Sequence, residues 1–136
     1  MNYGHGYSRP RRSKYNNNKT IVDGIRFDSE AEANRWCELK LLQRAGKIAG
    51  LDRQVKYELI PEYREPDRIG PKGGRKKGKI ISSKKVYIAD FVYYDSSTGE
   101  LVVEDVKGYR GGEAYKVFQL KKALMYDRYK ILVKEV

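Results

Sequence analysis

The sequence predicts an α/β fold in which a mixed β-sheet carries a helix on each face. The middle of the chain alternates apolar and polar residues as strands do, and a segment with helical spacing lies on either side of it. A last apolar stretch follows the second helical segment. Because a strand–helix–strand unit favours a right-handed crossover, this last strand is expected to run parallel to the strand before that helix. A length of 136 residues predicts one domain.

The start of that domain predicts a hairpin followed by a helix. In TIVDGIRF the dipeptide Asp23-Gly24 separates two short apolar runs, which is a strong hairpin signal. Ser29 and Glu32 have the spacing of a capping box, so a helix is expected to begin after the serine. It is expected to run to about Ala45, where a glycine follows.

Three strands are predicted next, over residues 53–63, 84–95 and 100–107. A basic loop, residues 66–83, separates the first two and is interrupted by glycine and proline. In the second strand, strict alternation would place five side chains on one face: Val86, Ile88, Asp90, Val92 and Tyr94.

A second helix is predicted from Glu113 to about Asp127, after a glycine-rich loop. The residues expected to form part of its apolar stripe are Val117, Leu120 and Leu124. The sequence YKILVKE, residues 129–135, predicts the last strand.

The net charge of +11 is concentrated in two segments. Residues 1–20 hold five basic residues and residues 68–85 hold eight, without an acidic residue in either segment, while the rest has 16 basic and 18 acidic residues. We expect a flexible N-terminal arm, 1–18, and a domain, 19–136, whose basic loop contacts an anionic partner. The residues predicted to contact nucleic acid are Arg9, Arg11, Arg12, Lys72, Arg75, Lys76, Lys77 and Lys79. A solubilising tail, a solvated loop, RNA and anionic lipid stay open as alternatives.

Single residues of cysteine and histidine exclude several classes of site. Cys37, the single cysteine, cannot form an internal disulfide or a thiolate zinc cluster. His5, the single histidine, lies in a tail rich in Gly, Tyr and Arg, and it does not suffice for a Ser-His-Asp triad or a His/Cys zinc site. No stretch approaches the roughly 20 apolar residues of a membrane span. These observations predict a cytoplasmic protein without a membrane partner, in which any catalysis depends on carboxylates, lysine, tyrosine or a bound metal.

Asp90, Asp105 and Lys107 interrupt the two best β-forming segments. If residues 96–99 form a four-residue turn, the strands pair so that Asp90 lies opposite Asp105. Facing carboxylates repel, and a divalent cation such as Mg²⁺ would compensate them. Lys107 is expected on the same side as Asp105. The other interpretation, exposed strand carboxylates with Lys107 simply paired to Asp105, stays open.

Glu32 lies one helical turn before Trp36, so its carboxylate is expected on the stripe that faces the sheet. The capping box alone would also explain this glutamate. Glu38 lies off the stripe, and Glu104 is expected to point to the opposite face from Asp105, so neither is expected in the site.

Together these residues resemble the pattern of the PD-(D/E)XK nucleases, in which a helix glutamate precedes an aspartate on one core strand and (D/E)-x-K on the next. Glu32, Asp90 and Asp105-Val106-Lys107 stand at those positions. The longer pattern FDSEAEANRW…LKLLQRAGKI…LDRQVKYELIP…YIADFVYY…LVVEDVKG is similar to a small phage and prophage family of unknown function that is assigned to this superfamily.

The resemblance covers about residues 15–136 and departs from the pattern at two positions. Ala89 replaces the motif proline, which serves backbone geometry. Asp105 replaces the more usual glutamate, whose longer side chain would place the metal slightly differently.

The resemblance implies a restriction-endonuclease-like core and metal-dependent hydrolysis of DNA phosphodiester bonds. Mg²⁺ or Mn²⁺ would be held by Asp90, Asp105 and the Val106 carbonyl, with Glu32 acting through water. Lys107 would be the catalytic lysine. Gln54 resembles a polar position that lines the cleft in related nucleases, and an exposed strand residue is its other interpretation.

Phage or prophage DNA recombination, replication or processing is the implied setting, with DNA as the partner. A branched substrate and a homodimer are suggested by analogy. Two other functions stay open: a nucleic-acid-binding protein without catalysis, and an adaptor in a virion or replication complex.

Overall fold

The computed structural model describes residues 19–136. The predicted N-terminal arm, residues 1–18, with Arg9, Arg11 and Arg12, lies outside the described residues. From Lys19 onward the elements are β1 Thr20–Val22, β2 Ile25–Phe27, α1 Glu30–Arg44, β3 Ile48–Ile60, β4 Tyr63–Arg64, β5 Arg68–Ile69, β6 Arg75–Lys76, β7 Ile80–Ser82, β8 Lys85–Asp95, β9 Leu101–Asp105, α2 Gly112–Tyr129 and β10 Lys134–Glu135.

A four-stranded mixed sheet forms the centre of the fold, in the order β10-β9-β8-β3. Strands β3, β8 and β9 pair antiparallel, whereas β10 runs parallel to β9. This arrangement confirms the predicted mixed α/β fold and the parallel last strand. Within residues 19–136 neither helix is both long and apolar enough to cross a membrane.

The two helices cover opposite faces of this sheet. Helix α1 contributes Trp36 and Leu39 to one buried cluster, together with Phe91 of β8. Helix α2 contributes Phe118 and Met125 to a second cluster on the other face. Alternation along β9 separates the two clusters, as expected for a strand that is covered on both sides.

The β1–β2 hairpin and the start of α1 form as the sequence predicts. Asp23 and Gly24 have φ angles of 51° and 74°, the left-handed conformation that a type I′ turn needs at both central positions. Ser29 is the N-cap of α1, and its hydroxyl accepts a hydrogen bond from the Glu32 backbone N–H at 3.1 Å. The helix ends at Arg44, with Ala45 as its C-cap.

Strand β3 begins earlier than predicted, at Ile48, and ends at Ile60 before a proline. Gly50 has φ 64°, and the pairing register with β8 shifts between Ala49 and Asp52. This irregularity breaks the apolar alternation on which the prediction depended, so the first residues of the strand carried no strand signal.

Helix α2 and the last strand also differ from the prediction. The helix extends to Tyr129 and ends in left-handed Lys130, so β10 covers only Lys134–Glu135 and not residues 129–135. The expected stripe is wrong for Val117 and Leu120, which are exposed. The helix is buried instead through Phe118 and Met125, which are seven residues apart and lie on one face.

The segment between β3 and β8 forms a β-hairpin, where the sequence predicted an irregular loop over residues 66–83. Strand β4 pairs with β7, and β5 pairs with β6 further from the central sheet. We call residues 61–84 the basic arm. It continues the β3–β8 pair beyond the point where Ile60 pairs with Lys85.

Candidate active site

Asp90 and Asp105 lie at the same level of the β8–β9 pair. The connecting turn is closed by a bond from the Asp95 N–H to the Glu100 carbonyl at 2.9 Å. The ladder then continues to Phe91 opposite Glu104. One further step in this register places Asp90 opposite Asp105, which is the pairing that the sequence predicts.

Asp105 is held by two neighbours in a nearly buried position. Its Oδ2 accepts a hydrogen bond from the Tyr87 hydroxyl at 2.8 Å, and its Oδ1 lies 2.7 Å from Lys107 Nζ. The Lys107 ammonium also lies 3.7 Å from the centre of the Phe118 ring. These contacts fix the carboxylate and the ammonium relative to each other on the face that α2 covers.

Lys107 lies between two open pockets. One, of about 250 Å³, is lined by Tyr87, Asp105 and Phe118 on the side of α2. The other, of about 340 Å³, is lined by Val106 and Asn34 on the side of α1. Lys107 therefore borders both pockets, although its side chain is only 20% exposed.

Asp90 binds to the backbone of the strand that carries Asp105. Its Oδ2 accepts from the Val106 N–H at 2.8 Å, and its Oδ1 lies 3.4 Å from the Gln54 side-chain amide. Burial raises the pKa of Asp90 to about 6, and the negative charge of Asp105 adds to this, while the Val106 N–H and Lys107 oppose it. At neutral pH the aspartate is thus a partly desolvated anion beside a second carboxylate.

The β3–β8 pair changes face at Gln54 and Asp90. Tyr87 and Ala89 belong to the cluster under α2, whereas Phe91, of the same parity, belongs to the cluster under α1. In β3 the same change occurs between Leu51 and Val55, since they too pack in different clusters. The predicted sharing of one face by Val86, Ile88, Asp90, Val92 and Tyr94 is therefore wrong.

Gln54 carries the backbone distortion that accompanies this change. Its φ of 54° is left-handed, which costs roughly 1–2 kcal/mol for a residue with a side chain. It falls between the pairs Arg53–Phe91 and Val55–Ala89, so it lies across from Asp90. Strain of this kind persists only where the surrounding structure imposes it, and it concentrates at functional sites.

Glu32 brings a third carboxylate toward the two aspartates. Burial raises its pKa to about 7, and the next causes are the negative charges of Asp90 and Asp28, opposed by Arg53. Only half of the capping box forms, because in the described chain the Ser29 N–H makes no bond to the Glu32 carboxylate. The carboxylate is consequently free of the cap and available to the site.

The donor set is compatible with a hard divalent cation. Among residues 19–136 no group of three or more acidic, histidine or cysteine side chains is arranged to hold a metal ion. Asp90 and Asp105 supply two carboxylates, and each bonded oxygen keeps a second lone pair. Mg²⁺ keeps several waters and needs only one or two carboxylates from a protein.

A family model described as a protein of unknown function, DUF1064, matches residues 12–135. The chain belongs to the DUF1064 family. No curated protein and no solved structure matches it significantly.

Glu104 has a different role in this DUF1064 chain. It is fully buried on the α1 face, where Arg35 donates to its two oxygens at 2.9 and 2.6 Å and the Tyr93 hydroxyl donates to Oε1. Glu38 is exposed and pairs with the same arginine at 2.8 Å. Neither glutamate joins Asp90 and Asp105, in agreement with the sequence-based expectation.

Within residues 19–136, the residues predicted to contact nucleic acid lie on the basic arm, outside the strands that carry Asp90 and Asp105. Each of them is exposed: Lys72, Arg75, Lys76, Lys77 and Lys79. In the part of the chain that the structure describes, Arg75 alone among them has an acidic partner, Asp67 at 3.1 Å.

Tyr87 is the site residue that the sequence did not single out. It occupies an ordinary position in an apolar strand, where a tyrosine is expected to pack, and it does pack against Phe118. Its hydroxyl reaches Asp105 only because β8 changes face at Asp90. A pattern of strict alternation contains no signal of this contact.

Proposed function

We propose that this protein is a metal-dependent endodeoxyribonuclease of the PD-(D/E)XK superfamily with a restriction-endonuclease-like core. The observation that carries the proposal is that Asp90 and Asp105 face each other on the two central strands, β8 and β9, with the Lys107 ammonium 2.7 Å from Asp105. Buried Asp105 and half-buried Asp90 are neighbouring carboxylates, which cost free energy unless positive charge or a proton compensates both, and Lys107 supplies a single positive charge for the two. That cost is explained when the site binds a metal for catalysis.

Asp90 and Asp105 would hold Mg²⁺ or Mn²⁺, together with the Val106 carbonyl and, through water, Glu32. The ion would supply Lewis acidity, polarising the scissile phosphate and lowering the pKa of a bound water. Tyr87 and the Val106 N–H keep the two aspartates in position, since each donates to one carboxylate at 2.8 Å.

Lys107 and Glu32 would assist the attack of water on the phosphorus in two different ways. The Lys107 ammonium stabilises the negative charge that develops on the phosphate oxygens as the attacking water forms its bond to phosphorus. Glu32 would accept the proton of that water, because its carboxylate is not engaged in the helix cap and lies close enough to the two aspartates to interact with them electrostatically. The phosphorus–oxygen ester bond opposite the water then breaks, and the departing oxygen takes a proton from solvent water, which leaves one strand end with a hydroxyl and the other with a phosphate.

DNA is the proposed substrate because the basic arm offers positive charge for contacts to a phosphate backbone. Five exposed basic residues of the basic arm, between Lys72 and Lys79, suit contacts to phosphates without reading of sequence. Arg9, Arg11 and Arg12 would add to these contacts. Recombination, replication or processing of phage or prophage DNA in the bacterial cytoplasm is the setting we propose, with branched DNA and a homodimer as further elements.

Cleavage of DNA tests the function directly. Supercoiled plasmid and synthetic single-stranded, duplex, flapped and four-way DNA are incubated with Mg²⁺, Mn²⁺ or EDTA. We expect nicking that needs the metal, and a loss of roughly 10²-fold or more in Lys107→Ala, since an electrostatic stabiliser of the transition state is removed. Lys116→Ala is the matched control, because this exposed lysine of α2 pairs with exposed Glu113 on the same helix. Absence of nicking on every substrate, or equal rates for the two variants, contradicts the proposal.

A nucleic-acid-binding protein without catalysis is the second candidate. It is favoured by the direct Lys107–Asp105 ion pair, which neutralises one carboxylate without a metal. This candidate predicts equal DNA affinity with Mg²⁺ and with EDTA, and no effect of Asp90→Asn on affinity. The nuclease predicts tighter binding in the presence of Ca²⁺, a cation that occupies such sites, and loss of that gain in Asp90→Asn.

A further inference from the structure

Specific contacts between its two sides hold the basic arm in its conformation. At its middle, Gly78 lies so close to the opposite strand that a Cβ at this position would be 1.7 Å from the Glu65 carbonyl oxygen. The Gly78 N–H donates to Asp67 at 3.0 Å, and Arg64 donates to the Gly78 carbonyl at 3.0 Å. These contacts hold the two sides of the arm together without any core of their own.

The end of the arm is a positively charged hairpin of two short strands, β5 and β6. Residues 70–74 form the turn, closed by a bond from the Gly70 N–H to the Gly74 carbonyl at 2.7 Å. Three of these five residues are glycines, so the turn has little side-chain bulk. Between residues 68 and 79 there are six basic residues and no acidic residue.

Ile69 stands out within this charged end. It is 80% exposed, next to Arg68 along the chain and opposite Arg75 in the β5–β6 ladder. Pro71 follows in the turn. An apolar side chain so exposed at the end of a basic hairpin has an unfavourable contact with water, which a partner with both phosphates and apolar surface would remove.

We propose that the basic arm enters the minor groove of duplex DNA and that Ile69 inserts between neighbouring base pairs. The inference rests on the proposed function only in taking DNA as the partner. Arginine and lysine are attracted to the negative potential of a narrow minor groove, and isoleucine is among the residues that unstack a base step from that side. Insertion of this kind kinks the duplex by roughly 20–90°.

The proposal defines the class of DNA that binds best. Insertion must unstack one base step, and this cost is lowest where the stack is already interrupted by a mismatch, a bulge or a branch. The arm therefore selects distorted duplex DNA over regular duplex by shape. Such selection supplies the carboxylate site with a substrate without any reading of base sequence.

Bending is measured in EDTA, where no cleavage occurs, so a failure of the nuclease proposal does not affect the result. A short duplex carries fluorophores at its ends for energy transfer and 2-aminopurine at the central step. We expect the wild-type protein to shorten the end-to-end distance and to increase the 2-aminopurine fluorescence. With Ile69→Ala both signals are expected to be lost, while the DNA dissociation constant rises by less than about 10-fold, because the phosphate contacts remain.

Ile81→Ala is the matched control. Ile81 is also an isoleucine of the arm and is 68% exposed, but it lies in β7, near the central sheet. This variant is expected to bend DNA as the wild type does.

Mismatch preference is a second measurement. A single mismatch in the duplex is expected to tighten binding by the wild-type protein about 5-fold or more, and to leave binding by Ile69→Ala unchanged.

Three results overturn the inference: binding without bending by the wild-type protein, equal bending by Ile69→Ala, or equal loss in both isoleucine variants. Binding that a minor-groove ligand does not displace overturns the choice of groove. Failure to bind any duplex in EDTA overturns the inference as well.

Discussion

Asp105 and Glu104 are neighbours in β9, and each is held by a tyrosine of β8 from its own face of the sheet. The Tyr87 hydroxyl donates to Asp105, and the Tyr93 hydroxyl donates to Glu104. The two pairs nevertheless differ in their surroundings. Glu104 is neutralised by Arg35 in the interior, whereas Asp105 faces an open pocket beside Lys107. Glu104 thus has a structural role, whereas Asp105, the next residue of the strand, is a candidate metal ligand.

This pair of tyrosines makes a controlled test of the site. In Tyr87→Phe, Asp105 loses one of its donors while the buried ring remains, so we expect Mn²⁺ affinity, measured by calorimetric titration without DNA, to fall about 10-fold. Residues that orient a metal ligand typically contribute this much. Tyr93→Phe is the control, since it loses the same kind of bond on the other face. It is expected to lower stability but leave Mn²⁺ affinity unchanged, and an equal fall in affinity for both variants contradicts the proposed ligand role of Asp105.

At the scale of elements, the β3–β8 pair is one long two-stranded ribbon whose parts have three different structural roles. Its inner part packs against α1, its middle part changes face at Gln54 and Asp90, and its outer part continues into the basic arm. The change of face moves Tyr87 to the side of Asp105. A ribbon with regular alternation would place Phe91 and Tyr87 in the same cluster and leave Asp105 without this donor.

The left-handed backbone at Gln54 has a measurable cost. Gln54→Gly and Gln54→Ala both remove the amide beside Asp90. Alanine is strained at this positive φ and glycine is not. We therefore expect the glycine variant to be more stable than the alanine variant by about 1 kcal/mol in urea denaturation. Lys56, two residues further along β3, is also exposed and has no such φ. There we expect the opposite order, because glycine weakens a regular strand by roughly 0.5–1 kcal/mol. The same order at both positions would contradict the assignment of strain to Gln54.

At the scale of the whole molecule, the candidate site lowers stability at neutral pH. The pKa of Glu32 rises from 4.5 to about 7 on folding, and that of Asp90 rises from 3.8 to about 6. Between these values the unfolded chain has released protons that the folded protein still holds. The contribution of these two groups to the free energy of unfolding therefore falls as the pH rises from 3.8 through about 7, and it levels off above that range.

We expect the melting temperature in EDTA to be lower at pH 8 than at pH 5, and Glu32→Gln to reduce this difference. The glutamine variant should gain on the order of 1 kcal/mol at pH 8, a value discounted because solvent screens this partly exposed carboxylate. Glu30→Gln, in the exposed first turn of α1, is the control and should leave the pH dependence unchanged. A gain at pH 5 as large as at pH 8 would show that the effect of Glu32→Gln is unrelated to its charge.

The sequence by itself determined the features that depend on neighbours along the chain. The Asp23-Gly24 turn, the cap at Ser29, the register that pairs Asp90 with Asp105 and the parallel last strand all follow from turn chemistry, capping and the handedness of crossovers. These rules act over a few residues or one connection, so they can be applied without knowledge of the core. They also brought the two aspartates and Lys107 into one candidate site.

Only the tertiary structure decided the features that depend on contacts between distant segments. The left-handed turn of β3 at Gln54, the donation by Tyr87 to Asp105 and the burial of Phe118 in place of Val117 arise from packing of the ribbon between two helices. Apolar residues occur at both parities of β8 and on several faces of α2, so periodicity alone leaves their orientation undetermined. The side that is buried is chosen by the fit of the whole core, and that choice is made only when all the elements come together.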